Sequence, residues 1–359
     1  MRLAALSLAL VALSIALDVP PLPLNVTVVA SGFSWIENLC FDGSGNMFGS
    51  ERLRGQLLIM NGREDGEDGY ITRILLDGVW ELLLGCAVDE RRHPGVVFVV
   101  GSLQNGSNVL AAIPVAMPGS WQIVAFTQHV GNGISIHEAT GVVYTSTEAD
   151  FLPGQGAVYS VDPSQPWGGP ARVLATDLWA ADGLWIDQDQ GVLFVGLLFS
   201  AEVWMYSLRD LAVLGTYAAL KRAAAGYPRI CLGCARCVPT TAFVCADTGC
   251  ADVLCAMDDF TLAQGNSSWM VAAAWTDNAI RGFPTFSKHA GYGERELLGS
   301  IRSPTSVRWG SGIGAFANTS LFISEGGGLT KAETTYRILE WKHASVLDSH
   351  STVGRRTVN

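Results

Sequence analysis

The clearest pattern in the chain is a short apolar strand that begins at a polar or turn-forming residue and returns through a tight turn to a second apolar strand. The third copy runs over residues 132–144, with its turn at Thr140-Gly141, and the fourth over residues 182–194, with its turn ending at Gly191. Short apolar runs bounded by Gly, Asn and Asp are typical of antiparallel β-strands. The chain shows no long amphipathic helix, so the pattern predicts an all-β protein.

This pattern occurs six times, and we name the residue that opens each copy its register residue. The register residues are Glu37, Leu84, Asn132, Asp182, Asp258 and Thr305, and their spacings are 47, 48, 50, 76 and 47 residues. Further apolar strands lie between the copies, so each repeat contains four strands, which is one propeller blade. The sequence predicts a six-bladed β-propeller of four-stranded antiparallel blades over residues 25–341.

The ends of the repeat predict how the ring closes and which face the turns occupy. Val26 to Ala30 is an apolar strand before blade one, and we expect it to become the outer strand of blade six, beside Tyr336 to Trp341, so that no edge stays open. A first strand of about five residues spans about 16 Å. The turns that follow the first strands should therefore lie on the face opposite the register residues.

The single long spacing marks a Cys-rich insertion before blade five, at residues 231–257. Six of the eight cysteines lie there, and a disulfide-stapled loop, a zinc site and a gene-model artefact are all compatible with them, with disulfides favoured in a secreted chain. The other two, Cys40 and Cys86, lie in the first strands of blades one and two. A disulfide between them and two buried thiols are equally compatible with the sequence.

The N-terminus predicts secretion. Met1-Arg2 is followed by an apolar run that ends at Ala16 in a small-x-small pattern, and the run is too short to span a bilayer, which takes about 20 residues. We therefore expect a signal peptide at residues 1–16, and a loose tail at residues 342–359. Four glycosylation sequons agree with an extracellular chain: Asn25, Asn105, Asn266 and Asn318. Asn266 and Asn318 fall in turns predicted opposite the register face, and Asn105 falls on the register side.

Charge and motifs exclude several function classes. The net charge of −10 argues against nucleic acid and anionic membranes as partners, because both attract basic surfaces. No Gly-x-Ser-x-Gly, P-loop or HExxH sequence occurs, so serine hydrolase, nucleotide and zincin chemistry have no support. We expect a monomer, without a membrane span in the mature chain, that acts on a small molecule.

The register residues are the candidate functional residues, because the first strands of a propeller line its central channel. Carboxylates that converge in a partly buried channel repel one another, and a bound divalent cation would resolve that conflict. The donors are oxygens, so Ca²⁺ fits first, with Mg²⁺, Mn²⁺ or Zn²⁺ as alternatives. Asp258 is a candidate additional ligand. The competing interpretation is that Asn132-Gly133 and Asp182-Gly183 are simply turn dipeptides.

The segments IENLCFDGSGNMF, GNGISIHEATGVVY, ADGLWIDQDQGVLFV and SPTSVRWG followed by LFISEGG resemble the regucalcin, gluconolactonase and luciferin-regenerating-enzyme-like propellers, the senescence marker protein family. The resemblance covers about residues 30 to 330, apart from the insertion. It implies metal ligands at Glu37, Asn132 and Asp182, with Asp182 also acting as general base. The implied activity is hydrolysis of a sugar lactone or cyclic ester through a metal-bound water in the channel.

Leu84 departs from that family pattern, which has Asn or Asp at the register position of blade two. Leucine cannot hydrogen-bond a sugar hydroxyl, so the resemblance leaves two functions open: a lactonase for a less polar substrate, and a non-catalytic Ca²⁺-binding propeller that binds a protein or glycan. Strictosidine-synthase-like condensation is a third alternative without specific support. His129 is a candidate proton shuttle, or a solvated loop histidine. Four acidic residues near the ends of second strands are candidates for an outer rim: Glu51, Glu148, Asp277 and Glu325.

Overall fold

The computed structural model describes residues 25–63, 70–148, 154–198, 202–210, 213–216, 257–263, 266–274, 278–284, 295–326 and 335–342. The described residues form six sheets arranged as a six-bladed β-propeller, which confirms the predicted fold class. The predicted signal peptide, the Cys-rich insertion up to residue 256 and the predicted tail beyond Lys342 lie outside the described residues.

The N-terminal strand and the first three blades contain most of the described chain. The N-terminal strand is β1 (Val26–Phe33). Blade one contains β2 (Ile36–Phe41), β3 (Asn46–Glu51), β4 (Gln56–Arg63) and β5 (Tyr70–Leu76). Blade two contains β6 (Trp80–Val88), β7 (Val96–Leu103), β8 (Asn108–Pro114) and β9 (Gln122–Phe126), with a short 3₁₀ helix at Pro118–Ser120. Blade three contains β10 (Gly131–Ile136), β11 (Val143–Thr147), β12 (Gly156–Val161) and β14 (Arg172–Leu178), while β13 (Gly169–Pro170) adds a parallel edge to β9 of blade two.

The remaining blades have the same order from the axis outward. Blade four contains β15 (Ala181–Asp187), β16 (Val192–Leu197), β17 (Glu202–Ser207) and β18 (Val213–Thr216). Blade five contains β19 (Met257–Ala263), β20 (Asn266–Ala274), β21 (Ala279–Pro284) and β22 (Arg295–Leu298). Blade six contains β23 (Pro304–Trp309), β24 (Leu321–Glu325) and β25 (Tyr336–Trp341). In the described part of the chain, no helix is long and apolar enough to cross a membrane.

The ring closes as the sequence predicts. Strand β1 pairs antiparallel with β25, with Val26 opposite Trp341 and Phe33 opposite Tyr336, and it is the outer strand of blade six. Blade six therefore joins the start and the end of the propeller, and the prediction for Val26 to Ala30 is confirmed.

The first strands surround the axis and carry the register residues inside them rather than in turns. Each of these strands contacts the first strand of the next blade, in the order β2, β6, β10, β15, β19, β23 and back to β2. Asn132 and Asp182 are the second residues of β10 and β15 and are 2% exposed, so the turn interpretation of these two dipeptides is wrong.

The glycines that follow the register residues of blades two and three serve close packing between blades. A Cβ atom on Gly133 would lie 2.1 Å from the carbonyl oxygen of Asp182, and one on Gly85 would lie 2.1 Å from that of Asn132. Neither glycine has a positive φ, so the requirement is space rather than a left-handed backbone. Glycine lets the register strand of one blade approach the register residue of the next.

Hydroxyl groups on second strands strengthen the same joints. Ser146 in β11 accepts a hydrogen bond from the Gly133 N–H over 2.9 Å and donates one to the carbonyl oxygen of Asp182 in blade four. Ser50 in β3 accepts from the Asn38 N–H over 3.1 Å and donates to the carbonyl oxygen of Leu84 in blade two. Each of these serines therefore ties two blades at the level of the register residues.

Apolar clusters fill the space between adjacent blades, and a disulfide crosses one of these interfaces. Cys40 in β2 and Cys86 in β6 form a disulfide between blades one and two, with Cα atoms 5.9 Å apart. The bond lies in a buried cluster that also contains Phe48, Leu83 and Val97. Of the two interpretations open from the sequence, the disulfide is the one the structure contains.

The strand directions place the sequons as predicted. Asn318 is exposed in the β23–β24 connection, and Asn266 begins β20, so both lie at the end of their blades opposite the register residues. Asn105 is exposed in the β7–β8 connection, on the register face. Asn25 precedes β1 and is also exposed, with its carbonyl oxygen accepting the Lys342 N–H.

Candidate functional site

The register residues form a buried ring at one end of the channel. All six side chains belong to residues that are 6% exposed or less: Glu37, Leu84, Asn132, Asp182, Asp258 and Thr305. Five members are polar, and the sixth, Leu84, is the one apolar member. The ring residues predicted from the repeat thus lie together in the structure.

Two charged residues from second strands join the ring. Arg52 follows directly after β3, and its guanidinium lies 3.1 Å from Glu37 Oε1 and 3.8 Å from Glu148 Oε2. Glu148 follows directly after β11 and is 5% exposed, so it is a channel residue rather than part of an outer rim. Arg52 thus connects blade one to blade three across the sector of blade two, where Leu84 leaves no polar group.

Glu37 is the centre of the hydrogen-bond network. Its Oε1 accepts bonds from Arg52 Nη1 over 3.1 Å and from Asn132 Nδ2 over 3.2 Å. Asn132 Nδ2 also donates to Glu148 Oε1. Glu37 Oε2 is buried and has no hydrogen-bond partner among the described residues. Both bonds of Asn132 use its Nδ2 group, so its amide oxygen is left for another partner. The network therefore leaves two oxygen atoms that could ligate a cation, Glu37 Oε2 and Asn132 Oδ1.

The ring has an excess of negative charge. Burial, then Asp258 and Glu148, raise the pKa of Asp182 well above its ordinary value. Burial, then Glu37 and Glu148, raise the pKa of Asp258 in the same way, and Arg52 offsets only part of the rise. Burial lowers the pKa of Arg52, but the surrounding carboxylates outweigh it and raise that pKa. Four carboxylates thus share one guanidinium.

A second tier of polar groups lies one residue further along the first strands of blades five, six and one. Asp259 accepts a hydrogen bond from Ser306 Oγ over 2.7 Å and pairs with Arg308, whose Nη1 lies 2.5 Å from Asp259 Oδ2. Ser306 Oγ also accepts the Leu39 N–H over 3.4 Å. Asp259 Oδ1 and Asn38 Oδ1 are buried without hydrogen-bond partners among the described residues. The channel is therefore polar below the ring on this side.

The other predicted site residues lie apart from the ring. His129 lines a cavity of about 290 Å³ with Gln128, Tyr159 and Asp177, at the outer strands of blade three. Glu51 and Glu325 are buried in ion pairs with Arg54 and Arg337. Asp277 lies outside the described residues. Among the described residues, no contact joins His129 to a register residue, and the rim candidates Glu51 and Glu325 are each paired with an arginine.

Arg52 is a site residue that the repeat pattern did not predict. Arg52 and Glu148 hold equivalent positions, since each is the residue directly after the second strand of its blade. Two opposite charges at one repeat position, two blades apart, are the sequence signal that could have identified the pair. The repeat alone does not show that the side chains reach inward.

Donor geometry limits what kind of ion could bind. Among the described residues, no three His, Cys, Asp or Glu side chains converge as a metal site. The predicted ligand set contains two carboxylates and an amide, Glu37, Asp182 and Asn132, so it does not require such a cluster. Its oxygen donors, the unpartnered Glu37 Oε2 and the excess negative charge fit a hard divalent cation.

The fold is similar to those of several enzymes of known structure. A gluconolactonase from Xanthomonas campestris superposes with a TM-score of 0.56 at 15% identity, over 90% of this chain and 94% of that chain. A luciferin-regenerating enzyme gives 0.59 at 12% identity, over 88% and 94%. A calcium structure of a Trichoderma reesei carbohydrate-active enzyme of family AA12 gives 0.58 at 12% identity, over 90% and 96%. No protein-family model and no curated protein sequence matches the chain.

These similarities establish the six-bladed propeller class. Because the identities are low and the similar proteins differ in their named activities, the fold alone does not select a reaction. The residues of the ring must therefore indicate the function.

Proposed function

We propose that this chain is a secreted hydrolase of lactones or cyclic esters that depends on a divalent cation, with Ca²⁺ as the first candidate. The observation that carries the proposal is the unpartnered Glu37 Oε2 beside Asn132 and Asp182, in a ring with four carboxylates and one guanidinium. The similarity in fold to a gluconolactonase supports the substrate class, and that to the calcium structure of the family AA12 enzyme supports the choice of ion.

Glu37, Asn132 and Asp182 would hold the cation, which supplies Lewis-acid polarisation of the ester carbonyl when bound. Asp182 also accepts the proton of the attacking water, because its carboxyl group has no hydrogen bond or ion pair to another described residue. Asn132 is oriented by its bonds to Glu37 and Glu148, so the amide oxygen is presented without rotational freedom. Asp258 adds negative charge on the opposite side of Asp182.

Leu84 restricts the substrate in the blade-two sector. It is 1% exposed and belongs to the ring, so a hydroxyl group placed there would lose its hydrogen bonds to water without gaining one from the side chain. We therefore propose a lactone or ester that is apolar on this side. Leu84 also supports the second candidate function, a non-catalytic propeller that binds a protein or glycan.

Turnover decides between the two candidates. Purified protein should hydrolyse members of a panel that includes glucono-δ-lactone, γ-butyrolactone and dihydrocoumarin. We expect activity with the less polar lactones, loss of activity in chelator, and recovery with Ca²⁺ or another divalent ion. Asp182→Asn should lower kcat by at least about a hundredfold, since a general base contributes 10² to 10⁴.

Leu84→Asn is the matched test of substrate polarity. It should improve kcat/KM for glucono-δ-lactone relative to dihydrocoumarin, because the new amide can pair with a hydroxyl group. Absence of turnover for the whole panel, in protein that still binds the cation, would favour the non-catalytic alternative.

Secretion is part of the same proposal. The apolar N-terminal run and the four sequons support it, and so does the Cys40–Cys86 disulfide, because disulfides persist in oxidising compartments. Expression of the full chain in a secretory host should give a product in the medium that begins after Ala16. Its mass should fall on endoglycosidase treatment. Retention of residues 1–16 in the product would contradict the predicted cleavage.

A further inference from the structure

Arg52 is a cation that the protein itself places among the carboxylates of the ring. Its guanidinium contacts Glu37 in blade one and Glu148 in blade three. Asp182 and Asp258 are close enough to act on it electrostatically. One guanidinium therefore interacts electrostatically with four carboxylates.

The position of Arg52 is fixed from several sides. Its N–H donates to the Trp35 carbonyl oxygen over 2.9 Å, and its own carbonyl oxygen accepts the N–H groups of Gly55 and Leu83. The guanidinium carbon lies 4.6 Å from the centre of the Trp35 ring, within the range of a cation–π contact. Contacts within the protein therefore fix both the backbone and the side chain of Arg52, and these contacts alone position its charge in the ring.

A cation at Glu37, Asn132 and Asp182 would share Glu37 with this guanidinium. Arg52 is bonded to Oε1, whereas Oε2 is the uncommitted oxygen, so both positive groups fit on one carboxylate. Two positive charges on the same carboxylate repel each other, and the effective dielectric of a buried site is below that of water. Arg52 therefore lowers the affinity of the site for the cation. When no cation is present, the same guanidinium offsets the repulsion between the carboxylates.

We propose that Arg52 is the built-in counter-ion of this ring: it keeps the carboxylates assembled without metal and sets a low affinity for the divalent cation. The inference rests on the metal site of the proposed function. We expect a Ca²⁺ affinity like that of extracellular modules, with a Kd of about 10⁻⁴ to 10⁻³ M. The site would then fill at extracellular calcium and remain empty, yet folded, at cytosolic calcium.

The neighbouring Arg54 provides a matched control. Arg54 Nη1 lies 3.1 Å from Glu51 Oε1, so it forms an arginine–glutamate pair of the same kind in the same blade. Glu51 is occupied by the N–H and the hydroxyl group of Ser34 as well, and it is not a ring residue. Removing Arg54 changes the net charge by the same amount without removing the counter-ion of the ring.

The test is calorimetric titration of the full mature chain with Ca²⁺, together with melting in chelator and in millimolar Ca²⁺. Arg52→Gln should bind Ca²⁺ at least tenfold more tightly than the wild type, while Arg52→Lys, which keeps the charge, should stay within about threefold of it. Arg54→Gln should bind as the wild type does. In chelator, Arg52→Gln should melt about 4 °C below the wild type, and millimolar Ca²⁺ should remove this difference.

The outcomes separate the inference from the proposed function. Equal Ca²⁺ affinity of Arg52→Gln and the wild type would overturn the counter-ion role and leave the metal site standing. If neither protein binds Ca²⁺, Mg²⁺ or Mn²⁺, the metal site fails and the inference fails with it. If Arg52→Gln does not fold in chelator, refolding in millimolar Ca²⁺ supports the inference, and failure to fold in both conditions overturns it.

Discussion

The inner ring of this propeller has two halves that solve the same packing problem differently. In blades two, three and four the register residue is followed by glycine, and the next blade approaches the glycine backbone directly: Gly85 faces Asn132, Gly133 faces Asp182, and Gly183 faces Asp258. In blades five, six and one the same position carries Asp259, Ser306 and Asn38. At this position after the register residue, the first half is joined through backbone contact and the second carries side chains.

The difference shows where polar chemistry can be accommodated. Glycine supplies no side chain after the register residue, so the glycine half has no polar side chain at that position. On the side-chain half, two buried oxygens, Asn38 Oδ1 and Asp259 Oδ1, have no hydrogen-bond partners among the described residues. Buried groups of this kind cost stability, and proteins retain them mainly at functional sites.

The disulfide is a covalent connection on the side-chain half, where blades one and two meet without a glycine after the register residue. Replacing both Cys40 and Cys86 by Ala should lower the free energy of unfolding by about 3 to 4 kcal/mol, because the bond closes a loop of 46 residues. Urea unfolding of the oxidised wild type and the double variant measures this. A reduced wild type should match the double variant, and an effect below about 1 kcal/mol would show that the apolar cluster alone holds these blades.

Gly133→Ala tests the glycine half. The added Cβ would lie 2.1 Å from the Asp182 carbonyl oxygen, which is backbone and cannot rotate away, so we expect a loss of about 2 to 3 kcal/mol. Gly119→Ala is the matched control, because a Cβ there meets nothing within 4 Å and φ is not positive. Equal stability of the two variants would contradict the packing role assigned to Gly133.

Sequence alone was sufficient for the blades and the ring but not for these packing roles. The repeat fixes which residue opens each first strand, so Glu37, Asn132 and Asp182 could be placed together, and strand polarity placed Asn318 on the opposite face. Asn-Gly and Asp-Gly, however, are compatible with both a turn and a close contact, and only the distance to the next blade distinguishes them. The repeat did not place Arg52 because it relates equivalent positions in different blades but does not show which side chains touch. The Arg52 side chain reaches from blade one past blade two to Glu148 in blade three.

Replacing Asp258 tests how the negative charge of the ring, to which both halves contribute carboxylates, affects stability. Because burial and neighbouring carboxylates raise its pKa, the folded state binds the proton more tightly than the unfolded state. Its contribution to stability is therefore full below the ordinary Asp pKa and declines as pH rises through the raised value. In chelator, Asp258→Asn should gain about 1 to 2 kcal/mol at pH 8 relative to the wild type and little at pH 4. Equal gains at both pH values would exclude ionisation as the cause.

Ser306→Ala should have the smallest effect, about 1 kcal/mol, because it removes one hydrogen bond to a carboxylate that keeps its ion pair with Arg308. Its value lies in a double-mutant cycle with Asp259→Asn. Direct contact predicts a coupling energy above about 0.5 kcal/mol. The matched cycle pairs Ser306→Ala with Ser146→Ala, a serine that ties blades three and four on the glycine half. Those two changes should add within about 0.5 kcal/mol, since no described hydrogen bond links the serines. Coupling of similar size in both cycles would mean that the ring responds as one unit, and the separation into two halves would be wrong.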